Sequence, residues 1–286
     1  MTGIAFGGNK TRNLEFRLAR TMMERPDVVI VGLDLQSNSA RQTVGACNRL
    51  GLETILVLVG ERPNLVQGNL LVDYLLGAEV VFAASSAEQR RIMDETASRL
   101  RADGRRPHIL NDNPMFDVAS AVAYIECTME IMEQLDALGL DLGCLYMSSS
   151  GKGQAGLVLA QKLFPGRFQV RGITATREHD VAPRTAEIAN RTAVELRLDL
   201  RVDAGEIQNF GEFVGERYGV PTEAGNEAVR LFARTEGVIL DPVYTGKCAA
   251  AMVQHIRQGA FGADDILVFV HTGGAPAIFT HSQLWL

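Results

Sequence analysis

Short runs of β-branched and aliphatic residues alternate with longer stretches of helical periodicity along nearly all of the 286-residue chain. The runs Asp27–Gly32, Thr54–Val59, Glu79–Phe82, His108–Leu110, Cys144–Ser148, Gln169–Ala175, Val238–Leu240 and Ile266–His271 have the length and composition of buried strands. Between them Leu14, Leu18 and Met22 recur at i, i+4 and i+8, and Val122, Ile125, Met129, Ile131 and Leu135 mark a second apolar helix face. Such alternation predicts an α/β architecture of βαβ units, with largely parallel sheets covered by helices. Right-handed crossovers then place the loops that bind ligands at the carboxyl ends of the strands.

No Pro/Gly/Ser-rich linker or repeat interrupts the pattern. Asp103–Pro107 (DGRRP) and Asn111–Pro114 (NDNP) are the strongest loop clusters, and a long helix is expected near Val118–Leu138. These signals predict a small α/β domain over residues 14–118 and a larger one over 119–286, joined by residues 1–13.

Composition closes off other classes. Hydrophobic residues make up 47% of the chain, enough for a sizeable core. Val28–Val31, Ile55–Val59 and Ile266–Val270 are far too short to span a bilayer. The start, MTGIAFGGNK, does not read as a secretory signal. Net charge is −6 and no basic block is interleaved with aromatics, so nucleic acid is not an expected partner. Cys47, Cys127, Cys144 and Cys248 lie far apart without a CxxC, which fits a reduced, cytoplasmic protein better than a disulfide or zinc framework. The histidines, His108, His179, His255, His271 and His281, lack metal spacing, and His271 reads as structural. No GxSxG elbow supports a hydrolase triad.

Five polar islands punctuate this framework: Gly7-Gly8-Asn9-Lys10, Gln36-Ser37-Asn38, Ser148 to Gly156 (SSSGKGQAG), Asp241 to Lys247 (DPVYTGK) and His271-Thr272-Gly273-Gly274. Three of them directly follow expected strands. Alone, GGNK reads as a solvated lysine in a glycine turn. Beside the other islands, the Lys10 amine becomes a candidate to attack an aldehyde. Ser148 to Gly156 ends a strand and opens a helix. Its glycines let backbone N–H groups approach a phosphate and its serines add donors. It is not a Walker A loop, so ATP chemistry is not indicated. Ser37 and Asn38 suit a helix N-cap, and the same donors can grip a substrate carboxylate or a ring oxygen. Tyr244 can be a packed aromatic or an acid/base; Thr245 and Thr272 can be turn formers or can bond a pyridine nitrogen. Together the islands predict a site for a phosphorylated aldehyde cofactor.

The blocks GGNKTRNLEF, QSNSARQTVGACNRLGL, SSSGKGQAGLVLA, YGVPTEAGNEAV, LDPVYTGK and HTGGAPAIF resemble, in order and across essentially the whole chain, those of the D-cysteine desulfhydrase / 1-aminocyclopropane-1-carboxylate deaminase family. These are tryptophan-synthase-β-like (fold type II) pyridoxal-phosphate enzymes. The resemblance implies two open, mostly parallel twisted sheets covered by helices, a pyridoxal 5′-phosphate cofactor, a small amino-acid substrate and a homodimer. It implies that Lys10 is the Schiff-base lysine, that Asn38 bonds the cofactor's 3′ oxygen, and that Ser149, Ser150, Gly151, Lys152 and Gly153 form the phosphate loop. Ser37 matches the carboxylate-binding serine, with Asn38 and Ser39 beside the substrate, and Tyr218 and Tyr244 match two active-site tyrosines. Thr245 and Thr272 follow the desulfhydrase pattern, where deaminases carry glutamate and tend to leucine.

Several positions depart from the family pattern. Ser39 stands where desulfhydrases usually have histidine and deaminases glutamine. Asn13 replaces a common phosphate-neighbouring lysine, Lys152 a usual glycine, and Gly153 a usual threonine. The segment that precedes GGNK in relatives, where it completes the large domain, is mostly missing; its absence would expose apolar surface, so the expectation is either a truncated chain or a partner that covers that face. The expected activity is a pyridoxal-phosphate lyase catalysing α,β-elimination from a small amino acid. The alternatives are a 1-aminocyclopropane-1-carboxylate deaminase, a cysteate sulfo-lyase, or a non-catalytic cofactor-binding subunit that needs a partner.

Overall fold

A computed structural model describes residues 3–110, 115–177 and 180–286; the loop cluster Asn111–Pro114 and His179 lie outside the described residues. Ten α-helices and eight strands run in the order α1 Lys10–Met22, β1 Val28–Asp34, α2 Asn38–Arg49, β2 Glu53–Val59, α3 Gly68–Leu75, β3 Glu79–Ala83, α4 Ser86–Ala102, β4 Pro107–Leu110, α5 Met115–Ala137, β5 Leu142–Ser148, α6 Lys152–Leu163, β6 Gln169–Ile173, α7 Val181–Glu195, β7 Asn209–Phe210, α8 Glu223–Glu236, α9 Thr245–Arg257, β8 Ile266–Val270 and α10 Ala277–Thr280 among the described residues. The strands form two parallel four-stranded sheets, ordered β3-β2-β1-β4 and β7-β6-β5-β8. Two packing units result. One holds Met1–Phe116 with Pro276–Leu286, and the other holds Asp117–Ala275. The last residues, grouped by sequence with the second domain, cluster with the first unit.

In the first unit, alternate residues of β1 feed opposite faces of the sheet. Val29 and Val31 pack with Leu14, Leu18, Val44, Leu56 and Leu58. Val28 and Ile30 pack with Ile55, Val57, Met93, Ala97 and Leu100. Burial on both faces is why these strands read as unbroken apolar runs rather than as alternating ones. The second unit builds one core from β5 (Leu145, Met147), α6 (Leu157, Leu159), α7 (Ile188, Ala189) and the inner face of α5. Gly156 permits the close approach of α5: a Cβ there would sit 2.0 Å from the Ala121 carbonyl oxygen.

Strand order reverses beside β1 in the first sheet and beside β5 in the second. Crevices that bind ligands in open α/β sheets lie at such switch points, outside the carboxyl ends of the strands. The turn after β1 carries Ser37 and Asn38. The loops after β5 and β8 carry Ser149–Gly153 and Thr272.

Three expectations change. Val238–Leu240 forms no ladder; Ile239 is half exposed, and its carbonyl accepts from the His271 ring (Nε2···O 2.9 Å) rather than from a neighbouring strand. The unheralded β7 adds two residues beside β6 at the sheet edge. Along α5, Met129 faces solvent at 53% exposure, and the buried line runs through Ala121, Tyr124, Ile125, Thr128 and Met132 instead. Among the described residues no helix is long and apolar enough to cross a membrane, and all four cysteines are free and buried.

Candidate active site

In the first unit, Lys10 opens α1 straight after Gly7 and Gly8, which adopt φ of 67° and 123°. These are conformations that glycine reaches without a Cβ penalty. Thr11 anchors the same turn to α2: its backbone N–H and its hydroxyl both donate to Gln42 Oε1, at 2.9 and 3.0 Å. Asn13, one turn further along the face that bears Lys10, is buried, and its Oδ1 has no partner among the described residues. A buried amide end without a partner is costly unless a ligand meets it.

Ser37 caps α2, its Oγ accepting from Ser39 N–H at 3.1 Å and Ala40 N–H at 3.2 Å. The capping expectation therefore holds. Asn38, the first residue of α2, has its Oδ1 occupied by Arg41 Nη2 (3.3 Å) and Asn69 Nδ2 (3.1 Å). Its amide NH2 is the group left to donate. Ser39 is partly buried beside it. Arg41, Asn69 and the fully buried Asp73 are not singled out by the sequence. The one sequence signal for Arg41 is a charged residue three positions ahead of the apolar stretch that starts at Val44 in α2.

In the second unit, the loop after β5 is held by Ser149, whose N–H donates to Ile173 O at 3.0 Å and whose hydroxyl accepts from Gly151 N–H at 3.0 Å. Gly151 takes φ of 112° and precedes α6, whose first N–H groups receive no side-chain cap. Uncapped amides at a helix start, next to the Ser149 and Ser150 hydroxyls, suit a phosphate. Gly153 leaves room for neighbours: a Cβ there would meet Met147 Cε at 2.4 Å and Tyr124 at 2.9 Å. Lys152, which the resemblance places in the phosphate loop, directs its amine to Asp117 Oδ1 at 2.5 Å, with Arg184 3.7 Å from the other oxygen of that carboxylate.

The island at Asp241 is organised by its carboxylate, a role that the sequence alone does not reveal. Asp241 is fully buried. It accepts from the N–H groups of Val243 and Tyr244 (each 2.8 Å), from Thr245 N–H at 2.9 Å and from Thr245 Oγ1 at 2.6 Å. Thr245 Oγ1 also accepts from Asp241 N–H at 2.7 Å. The Thr245 hydroxyl is thus engaged inside the turn. Thr272 is also buried, and no hydrogen bond to its hydroxyl occurs among the described residues. Tyr218 and Tyr244, 26 residues apart, meet hydroxyl to hydroxyl, with ring centroids 6.0 Å apart. Lys247 is fully buried and donates to Val214 O at 2.8 Å, tying α9 to the short turn that leads to Tyr218. Burial pulls the Lys247 amine below its ordinary pKa, against the attraction of Asp241.

The residues of each half fit the cofactor that the resemblance implies. Lys10, the oriented Asn38 NH2 and the buried Asn13 amide lie in the first unit. The uncapped loop of α6, the Thr272 hydroxyl and the tyrosine pair lie in the second. Comparisons with known proteins point to the same cofactor. A family profile described as pyridoxal-phosphate dependent enzyme matches residues 2–273. D-cysteine desulfhydrases from Serratia proteamaculans (strain 568) and Klebsiella pneumoniae (strain 342) are each 32% identical, covering 98% of this chain and 86% of theirs. A crystal structure of an ACC deaminase homologue superposes with a TM-score of 0.85 at 29% identity, over 100% of this chain and 86% of that one. A T.th. threonine deaminase, at a TM-score of 0.61 and 20% identity over 94% of this chain and 83% of that one, shares the fold.

Proposed function

The chain belongs to the family of pyridoxal-phosphate-dependent enzymes, and from that premise we propose that it is a lyase of the D-cysteine desulfhydrase type, eliminating a β-substituent from a small amino acid. One observation carries the choice of reaction. Helix α9, which places Tyr244, opens on the neutral Thr245, and the neighbouring Asp241 carboxylate is saturated by three N–H groups and one hydroxyl. That leaves the Thr272 hydroxyl for the pyridine nitrogen. A hydroxyl can donate to an unprotonated nitrogen, whereas a carboxylate would hold it protonated. The weaker electron sink suits a good leaving group, such as a thiolate, better than cyclopropane ring opening.

In this reading the Lys10 amine would hold the cofactor through its aldehyde until the substrate amine takes that place, and the Asn38 NH2 would donate to the ring oxygen. Ser37 and Ser39, at the start of α2, take the substrate carboxylate. Ser149, Ser150, Gly151, Lys152 and Gly153 take the phosphate. Bound there, pyridoxal phosphate supplies an electron sink for the charge left at the substrate α-carbon. The Lys10 amine, freed when the substrate amine replaces it, would remove the α-proton. The Tyr218–Tyr244 pair delivers a proton to the departing β-group, and the released enamine hydrolyses to a keto acid and ammonia.

A second reading, ring opening of 1-aminocyclopropane-1-carboxylate on the same residues, is favoured by the close likeness to the ACC deaminase homologue. One assay separates the two. Purified protein should release sulfide and ammonia from D-cysteine with a kcat/KM well above that for ammonia release from the cyclopropane substrate; the reverse order would sink the elimination reading. Lys10→Ala should abolish turnover and the visible absorbance of bound cofactor, and borohydride labelling of any other lysine would remove Lys10 from its role. A cytoplasmic homodimer completes the proposal. The four buried free cysteines and the exposed Leu71 and Leu75 on α3 support it. A light-scattering mass of one 31.1 kDa chain would contradict the dimer.

A further inference from the structure

Arg41 heads the largest fully buried side chains. An arginine without solvent must place its donors on protein groups. Its Nε donates to Asn69 Oδ1 at 2.7 Å. Nη1 and Nη2 both reach Gly7 O at 3.3 Å, and Nη2 also reaches Asn38 Oδ1 at 3.3 Å. Asn69 closes the net: its Nδ2 donates to Asn38 Oδ1 at 3.1 Å and to Gln36 O at 2.8 Å, while its backbone N–H donates to Gln36 Oε1 at 2.9 Å.

Counting lone pairs gives the consequence for Asn38. An amide oxygen accepts two hydrogen bonds, and both are filled from behind by Arg41 and Asn69. The amide cannot turn over without placing its NH2 against two donors. What it can offer a ligand is therefore donation, which suits an oxygen carrying negative charge. The same guanidinium restrains the backbone on the way to Lys10. Ala5, Phe6 and Gly7 run consecutively at φ of 47°, 65° and 67°, and Arg41 grips the carbonyl at the end of that run. For Ala5 and Phe6 this region costs about 1–2 kcal/mol each, so the path needs support from outside. Asp73 on α3 is the acid facing Arg41, which draws it toward ionisation while burial favours its protonated form. It is fully buried, and neither of its oxygens has a hydrogen-bond partner among the described residues. It therefore leaves the donors of Arg41 to Asn69, Gly7 and Asn38.

We propose that Arg41, acting with Asn69, is a positioning residue of the cofactor site: it fixes the Asn38 amide as a pure donor toward an anionic ring oxygen and holds the backbone that leads to Lys10. The inference rests on the cofactor reading given above.

The test is a titration of the apoprotein with pyridoxal phosphate, followed by visible absorbance, for the wild type, Asn38→Ala, Asn69→Ala, Arg41→Lys and the double variant Asn38→Ala/Asn69→Ala. Asn69→Ala should weaken cofactor affinity about tenfold, the size of one hydrogen bond to a charged group. It should also shift the visible band toward that of Asn38→Ala. In the Asn38→Ala background the same change should cost less than about twofold, because its route to the cofactor is gone. Arg41→Lys keeps the charge facing Asp73 but loses the fork, and should weaken affinity more than Asn69→Ala because it also releases Gly7. Affinity losses that multiply in the double variant would overturn the proposal, as would wild-type affinity in Arg41→Lys. If Arg41→Lys does not fold, the Asn38/Asn69 cycle decides alone. Unchanged affinity in Asn38→Ala is a separate result that overturns the underlying cofactor reading, and the inference with it.

Discussion

The two units hold their functional groups by opposite means. In the first, side chains hold side chains: Arg41, Asn69 and Asp73, all buried, stand behind Asn38 and the turn before Lys10. In the second, the backbone is the scaffold. Gly151 and Ser149 shape a loop of N–H groups, and one carboxylate, Asp241, gathers three further N–H groups into the turn that starts α9. A side-chain net is specific about chemistry, since each donor needs its acceptor. A backbone device is specific about space, since a Cβ in the wrong place spoils it. Gly274 illustrates the second kind: at φ of 99°, a Cβ would lie 2.5 Å from Asp241 Cγ.

If the second half depends on one carboxylate, removing it should produce the largest loss of stability. Asp241→Ala leaves the N–H groups of Val243, Tyr244 and Thr245 and the Thr245 hydroxyl without their acceptor. Each such buried orphan costs about 1–3 kcal/mol, with partial relaxation, so a total near 3–5 kcal/mol is expected. Urea unfolding of the apoprotein measures it. A loss below about 1 kcal/mol would mean that the turn holds itself together and that the contrast between the halves is overdrawn.

The paired threonines sharpen the same contrast. Thr245→Ala should lower stability by about 1–3 kcal/mol, because its hydroxyl serves Asp241, and should leave the spectrum of bound cofactor nearly unchanged. Thr272→Ala should do the reverse, altering the cofactor's visible band and kcat with little change in the unfolding midpoint. A spectral change in Thr245→Ala alone would return the pyridine nitrogen to Thr245.

In the first half, pH is the probe. Burial pushes the Asp73 carboxyl up to about 7, although the nearby Arg41 pulls the other way. The folded state then keeps a proton that the unfolded chain, near the ordinary value of 3.8, has released. This contribution to stability is full below about 4, falls as pH rises toward 7 and is flat above it. The fall between about pH 5 and 7.5 should be about 2 kcal/mol, at roughly 1.4 kcal/mol per pH unit, and Asp73→Asn should remove most of it. Identical pH profiles of the unfolding midpoint for the two proteins would take Asp73 out of the account.

What is legible in sequence follows the same division. Backbone devices announce themselves, because a glycine or serine cluster after an apolar run is visible locally; GGNK, SSSGKG and HTGG all show in that way. Strands buried on both faces are legible as apolar runs, while Asn209–Phe210 is too short to show a pattern. Val238–Leu240 has the composition of a strand but finds no neighbour to pair with. The side-chain net is not legible. Asn69 and Asp73 sit in GNLLVDYLL as ordinary polar positions of a helix, and only the packing of α3 against α2 turns them inward. The meeting of Tyr218 and Tyr244 is likewise beyond spacing arguments; the family resemblance points to both tyrosines, and the fold brings their hydroxyls together.

Lys152 offers the finest test, with the smallest effect. A loop built from backbone donors should not depend on one lysine amine, and here that amine is drawn to Asp117 at 2.5 Å, with Arg184 on the far side of the same carboxylate. Both partners of the ion pair keep some exposure, at 34% and 21%, and pairs of that kind contribute about 0–1 kcal/mol. Lys152→Ala should therefore weaken cofactor affinity only about two- to fivefold. Asp117→Asn supplies the control. It frees the Lys152 amine, so an increase in affinity would mean that the amine can reach the phosphate once released. A loss of affinity of about tenfold or more in Lys152→Ala would show the charge bearing directly on the phosphate, and the second half would then share the side-chain dependence of the first.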